Sequence, residues 1–343
     1  MLKKHLIIMI VLIASIYACN RKLNEHAEDF NGFQRPAGFP SAVYDLADNP
    51  VTKNGFELGR KLFYDPMLSS NGTISCSSCH VQKNAFTQSA LEVSCGIYNR
   101  EGIRNVPPIM NLAWSTSFMW DGGVFNLDMQ PVAPITAHTE LADSMQSVLT
   151  RLREDKNYPD LFKKAFGNEG ITTSTFLKAL SQFMIMCVSS NSKYDSVMRK
   201  QTVFTADEQK GYALFKEKCN GCHTEPLFTD GSFRNTGLST IDNNDEGRYR
   251  ITLHDTDKYK FKVPSLRNVG FTAPYMHNGG LQTLDDVLNY YASGIKDTSG
   301  LDPLLKKNDK AGIAMKGEEK QNIIAFLKTL DDNSFLLDKN LSQ

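Results

Sequence analysis

Four of the seven cysteines fall into two copies of one pattern, Cys76-Ser77-Ser78-Cys79-His80 and Cys219-Asn220-Gly221-Cys222-His223. Two thiols separated by two residues, with a histidine directly after the second, are what covalent haem c attachment needs. The thiols add to the two vinyl groups of the porphyrin, and the histidine reaches the iron as proximal ligand. A zinc or dithiol site is the competing reading of such a cluster. Two copies in one chain favour haem, so the expected cofactors are two covalently bound haem c groups, the first on Cys76, Cys79 and His80 and the second on Cys219, Cys222 and His223.

Each copy must be positioned by the element before it. Gly59, Leu62 and Phe63 precede the first, and Gly211, Leu214 and Phe215 precede the second, so the chain carries an internal repeat. Phe56, Gly59, Leu62 and Phe63, like Tyr212, Phe215 and Lys216, are spaced as one face of a helix, which places each haem at a helix end. Further helices are expected over 143–166, 173–198, 283–291 and 317–330, the third capped by Thr283 ahead of Asp285 and Asp286. No run alternates convincingly as a strand. The expected fold is therefore mainly α, with two cytochrome c-like helical domains that each hold one haem c. The expected divisions are an export signal over 1–18, a tether and N-terminal arm over 19–50, a first haem domain over 51–200 and a second over 201–343.

Length and composition agree with two domains: 343 residues at 41% apolar content can build sizeable cores. Basic and acidic residues number 38 each, a balance that gives no reason to expect nucleic acid as a partner. Lys3 and Lys4 precede an apolar stretch, 6–18, that is too short to span a bilayer comfortably and is broken at Cys19. That is an export signal, and it resembles a bacterial lipoprotein signal in which Cys19 would be lipidated. Tyr17 is bulkier than that pattern usually allows, which leaves plain cleavage or an uncleaved anchor as alternatives. The expected location is the periplasm or cell envelope, with membrane attachment through Cys19. Cys187, inside an apolar run, reads as a buried thiol, and Cys95 is given no role. His138, close to Glu140, is a candidate for the same pocket, and His254 in its polar stretch reads as exposed.

The segment from Trp120-Asp121-Gly122 through Glu140 resembles the bacterial di-haem cytochrome c peroxidases. So do Phe261-Lys262-Val263-Pro264-Ser265-Leu266-Arg267-Asn268 and Ala273-Pro274-Tyr275-Met276-His277-Asn278-Gly279. The resemblance spans about 55–331. The same family includes the MauG-type enzymes, which oxidise side chains of a partner protein.

On the residues alone, Glu140 reads as a solvated glutamate opening a helix. The resemblance instead implies that Gln130 and Glu140 stand over the open face of the first haem, with Glu140 as general acid and base, since cleaving an O–O bond requires moving a proton between its oxygens. It implies that Trp120 relays electrons between the haems. It also implies a calcium ion held by Asn105, Thr272 and Pro274, a hard ion on oxygen ligands.

Two departures matter. No histidine lies between His80 and Trp120, so the loop that closes the first haem in many of these peroxidases cannot do so here. The far ligand of the second haem, a methionine in the peroxidases, is matched by Tyr291, as in the MauG-type enzymes; a packed core tyrosine, with a residue such as Met276 as the ligand, is the alternative.

The activity implied is reduction of hydrogen peroxide with electrons from a small donor such as cytochrome c. A MauG-like oxidase of a protein or small-molecule partner is the alternative, and a di-haem electron carrier is disfavoured because a carrier needs neither Gln130 nor Glu140. Dimers are common among the similar peroxidases, which leaves a homodimer open.

Overall fold

The computed structural model describes residues 30–238, 245–296 and 298–343. The export signal, Cys19 and most of the tether therefore lie outside the described residues. Residues 1–34 and 35–343 form separate units, and the second carries every element below. No helix among the described residues is long and apolar enough to cross a membrane.

Among the described residues, six α-helices exceed eight residues: α1 Lys53–Tyr64, α2 Met145–Glu154, α3 Tyr158–Phe166, α4 Thr173–Met186, α5 Ala206–Lys218 and α6 Gly317–Leu327. Strands are only two residues long: β1 Phe233–Arg234 pairs with β2 Phe261–Lys262, and β3 Lys306–Lys307 pairs with β4 Lys310–Ala311, both antiparallel. The mainly helical character expected from the sequence is present.

Helix α1 packs on α4, and α5 packs on α6. The glycines of the repeat explain both crossings. A Cβ on Gly59 would collide with the Ala179 carbonyl oxygen, and one on Gly211 with the Asn322 carbonyl oxygen, so only glycine lets the backbones approach this closely. Three aromatic rings then fill each half in the same way. Phe63, Phe86 and Phe183 lie 4.8–6.1 Å apart between centroids; Phe215, Phe228 and Phe326 lie 5.0–6.2 Å apart.

Two expected helices are interrupted. The 143–166 run breaks at Asp155, whose carboxylate accepts the amides of Asn157 and Tyr158 and starts α3 afresh, with Pro159 in its first turn. The 173–198 run stops at Met186, and a short helix, Lys193–Met198, restarts from a capping box between Ser192 and Asp195. Near 283–291 the α-helix covers Leu284–Asn289 and widens into a π-turn over Tyr290–Gly294.

The halves meet through a second repeat that the chemistry-bearing motifs had hidden. Residues 105–124 and 262–281 align without a gap: Val106-Pro107 with Val263-Pro264, Asn111 with Asn268, and Phe118-Met119-Trp120-Asp121-Gly122-Gly123 with Tyr275-Met276-His277-Asn278-Gly279-Gly280. The backbone repeats as well. Asn111 and Asn268 are both left-handed, at φ 54° and 57°, as are Met119 and Met276, at 69° and 71°. The junction is reciprocal: Asn105 N–H donates to the His277 carbonyl and Lys262 N–H to the Trp120 carbonyl, each at 2.7 Å.

Candidate functional site

Thr52 caps the N-terminus of α1, and the chain leaving that helix forms one short turn over Cys76–Cys79. His80 follows. Its Nδ1 lies 2.8 Å from the Phe86 carbonyl, which sets the ring orientation and leaves Nε2 for another partner. His223 repeats this with Nδ1 3.1 Å from the Phe228 carbonyl and 3.2 Å from that of Pro264. Desolvation holds His80 down to about 4 and lowers His223, a shift toward the neutral imidazole that iron ligation requires.

Cys76, Cys79 and His80 line a cavity of about 60 Å³ together with Cys95, Gln130, Glu140, Ile109, Ile135, Leu180 and Met184. The fold thus brings the first attachment motif, Gln130 and Glu140 into one chamber with a mostly apolar wall. The segment from Gln130 doubles back on itself, with Leu141 N–H bonded to Pro134 O and Asp143 N–H to Ile135 O, so residues ten apart in sequence share a wall. Glu140 is half-buried in the turn ahead of α2, not on a solvated helix face, and desolvation raises its pKa above the ordinary glutamate value. Gln130 Nε2 contacts Met119 Sδ at 3.8 Å.

His138 is exposed and does not line the cavity, a correction to its expected place: it falls at the outer side of the turn that points Glu140 inward. His254 is exposed and Cys187 fully buried, as expected. Cys95, to which the sequence assigned nothing, lies in a hairpin over 94–104 and lines the cavity, its carbonyl 3.6 Å from Cys79 Sγ.

In the second half, burial raises the pKa of the Tyr291 phenol, and Tyr290, Cys222 and Cys219 lie within electrostatic range of it. It sits within the π-turn, a helical irregularity that often re-aims a side chain at a functional site. Trp120 Nε1 donates to the Asn105 carbonyl at 2.8 Å, and His277 lies stacked on Phe261, 3.6 Å between centroids, with a buried Nε2 that has no partner.

The donor set fits a porphyrin. The four motif thiols are free, and burial pushes Cys76 and Cys219 up to about 12 and Cys79 to about 11. No cluster of three or more His, Cys, Asp or Glu that could hold a metal ion occurs among the described residues, so neither motif closes a zinc site. Asn105, Thr272 and Pro274 fit a hard cation in type. The Asn105 amide nitrogen is occupied by the Glu92 carbonyl at 3.0 Å, while Asn105 N–H ties this residue to the strand after Pro274 through His277.

Similarity across nearly the whole chain decides the family. The chain is 35% identical to the methylamine utilization protein MauG of Methylorubrum extorquens, over 87% of this chain and 83% of that protein. It belongs to the di-haem cytochrome c peroxidase and MauG family. The family model for di-haem cytochrome c peroxidase matches residues 53–203. The cytochrome c551 peroxidase of Nitrosomonas europaea is 32% identical, over 83% of this chain and 82% of the relative, so both enzyme types stand among its relatives.

Among solved structures, a MauG-like protein associated with microbial copper homeostasis superposes with a TM-score of 0.82 at 32% identity, covering 91% of this chain and 98% of that one. The diheme peroxidase BthA from Burkholderia thailandensis shares the fold, with a TM-score of 0.75 at 20% identity over 84% of this chain and 88% of that one.

Proposed function

We propose that this protein is a di-haem cytochrome c peroxidase that reduces hydrogen peroxide to water in the chamber over His80. The observation that carries the reading is the convergence of Gln130 and Glu140 on the cavity lined by Cys76, Cys79 and His80. Bound haem supplies there the redox-active iron at which peroxide is reduced. The rest belongs to the protein. Cys76 and Cys79 would anchor the porphyrin and His80, oriented by Phe86, would ligate its iron, while the 81–119 loop carries no histidine that could compete for it.

Glu140 takes a proton from the inner oxygen of peroxide and returns it to the outer one, so that water leaves; Gln130 orients the peroxide by hydrogen bonding. Reduction consumes two electrons and two further protons per peroxide. Electrons enter at the second half, held by Cys219, Cys222 and His223, from a small donor protein such as cytochrome c, and Trp120 at the junction relays them. The functional divisions are 51–200 for the peroxide half and 201–343 for the electron-entry half, joined by a calcium ion at Asn105, Thr272 and Pro274. Export, lipidation at Cys19 and a place in the periplasm or cell envelope complete the proposal, and a homodimer is compatible with it.

A second reading, a MauG-like oxidase of a protein or small-molecule partner, is favoured by one observation: Tyr291 is buried in the π-turn, within electrostatic range of Cys222 and Cys219. A phenolate ligand stabilises ferric iron and lowers the potential of the second haem. Electron paramagnetic resonance of the fully ferric protein, followed by mixing with peroxide and reduced cytochrome c, separates the readings. We expect one high-spin and one low-spin signal and prompt oxidation of the donor. Two low-spin signals without turnover until half-reduction would contradict the open first haem, and peroxide consumption without donor oxidation would favour the oxidase.

A further inference from the structure

The second repeat places a lysine where the other half has its candidate calcium ligands. By the gapless alignment of 105–124 with 262–281, Asn105 corresponds to Lys262, Thr272 to Ser115 and Pro274 to Ser117. The backbone supports each pairing. Asn105 and Lys262 donate their amides to the carbonyls of His277 and Trp120 at the same 2.7 Å; Ser115 and Thr272 each close a 3-10 turn, with amides bonded to Leu112 O and Val269 O; and Phe118 and Tyr275, which follow Ser117 and Pro274, form equivalent bridges to Val124 and Leu281.

The Lys262 ammonium donates to the Ser117 carbonyl, the repeat-equivalent of the Pro274 carbonyl expected on calcium. It lies 5.8 Å from the centroid of the Phe118 ring and has no carboxylate within ion-pair distance among the described residues. An ammonium that is drawn out of water without a counter-carboxylate is costly unless carbonyl oxygens and ring faces compensate it; its pKa, lowered by desolvation to about 8, agrees with that setting.

We propose that Lys262 is a built-in cation: its ammonium occupies the repeat-equivalent of the calcium position, so that each side of the junction between the halves is closed by one positive charge, an external ion on the Asn105 side and a covalently tethered one on the Lys262 side. The chemistry explains the asymmetry. Asn105 offers a neutral carboxamide, which needs an ion to draw in the Thr272 and Pro274 carbonyls, whereas Lys262 brings its own charge to the Ser117 carbonyl and leaves no room for a second ion. The inference rests on the calcium reading only for the Asn105 side.

The test is the calcium content of the haem-loaded protein after equilibration with calcium and desalting, measured by elemental analysis together with thermal melting with and without chelator. Lys262→Asn recreates the Asn105 arrangement against the Ser115 and Ser117 carbonyls, and should raise the content from roughly one to roughly two calcium ions per chain, with a larger fall in melting temperature on chelation than in wild type. The reverse change, Asn105→Lys, should remove the native ion.

A Lys262→Asn protein with no more calcium than wild type overturns the proposal. Should that variant fail to give native haem spectra, Asn105→Lys decides: retention of calcium overturns the proposal and loss supports it. A wild type without calcium whose Lys262→Asn variant takes up one ion supports the role of Lys262 and removes the Asn105 reading instead.

Discussion

Glu140 shows how one side chain acquires a chemical task from its surroundings. Its residue type alone reads as a solvated glutamate near a helix start, and only the family resemblance gives it a role; lining the chamber with Cys76 and Cys79 it loses water, and the charged form is disfavoured. As a base toward neutral peroxide it must be ionised, so kcat/KM for peroxide should rise with pH through this raised pKa, an acid limb displaced above that of an ordinary glutamate. Glu140→Gln is expected to lower kcat/KM by about 10²- to 10⁴-fold and to flatten that limb. Stopped-flow rates across pH check both parts, and an unchanged pH profile in the variant would remove Glu140 from the proton pathway.

At the scale of elements, the helix pairs α1–α4 and α5–α6 set the depth at which each motif sits. Gly59 and Gly211 do the same work at equivalent crossings, each facing a carbonyl oxygen on the partner helix. Gly59→Ala and Gly211→Ala should each destabilise by about 1–3 kcal/mol, the usual cost of overpacking a close contact. Denaturant titration of the two variants measures it. Costs under about 0.5 kcal/mol, the range of neutral surface changes, would mean that the crossings are slack.

The helices themselves were legible because their apolar faces recur at helical spacing. The breaks at Asp155 and between Met186 and Lys193 were not. In both places a side chain outcompetes the helix for backbone amides, Asp155 for those of Asn157 and Tyr158 and the Ser192–Asp195 box for its own turn.

For the whole molecule, the halves are joined by a buried polar knot as well as by the reciprocal amides. Ser189 is bonded by both repeat-paired asparagines: Asn111 Nδ2 donates to its carbonyl and Asn268 Nδ2 to its hydroxyl, at 3.0 and 2.9 Å. The Asp332 carboxylate accepts the Ser189 hydroxyl and the amides of Ser190 and Asn191 at 2.9–3.1 Å. Residues after Asp332 then return to the first half, where Arg60 and Tyr64 bind the carbonyls of Asn340 and Leu341.

Asp332→Ala strands those donors in a site that is 1% exposed. At about 1.5–3 kcal/mol for each hydrogen bond to a charged group, a loss of about 3 kcal/mol or more is expected. Equilibrium unfolding followed at both haems is the check, and a loss below about 1 kcal/mol would show that the knot does not hold the halves together.

The sequence by itself determined the helical class and the family, and it set the haem-attachment reading on which the proposed function rests. These depend on local patterns: thiols and histidine at fixed spacing, apolar residues at helical period, and motif strings long enough to be specific. It also excluded a histidine from the 81–119 loop, since absence from a segment is read directly. The tertiary structure decided what depends on residues far apart in the chain. It put Cys95 against the chamber and His138 outside it, buried Tyr291 in the π-turn, and exposed the second repeat. That repeat carries different side chains in its two copies, Trp120 against His277 and Asn105 against Lys262. Equal backbone geometry and equal hydrogen bonds reveal it where residue identity does not.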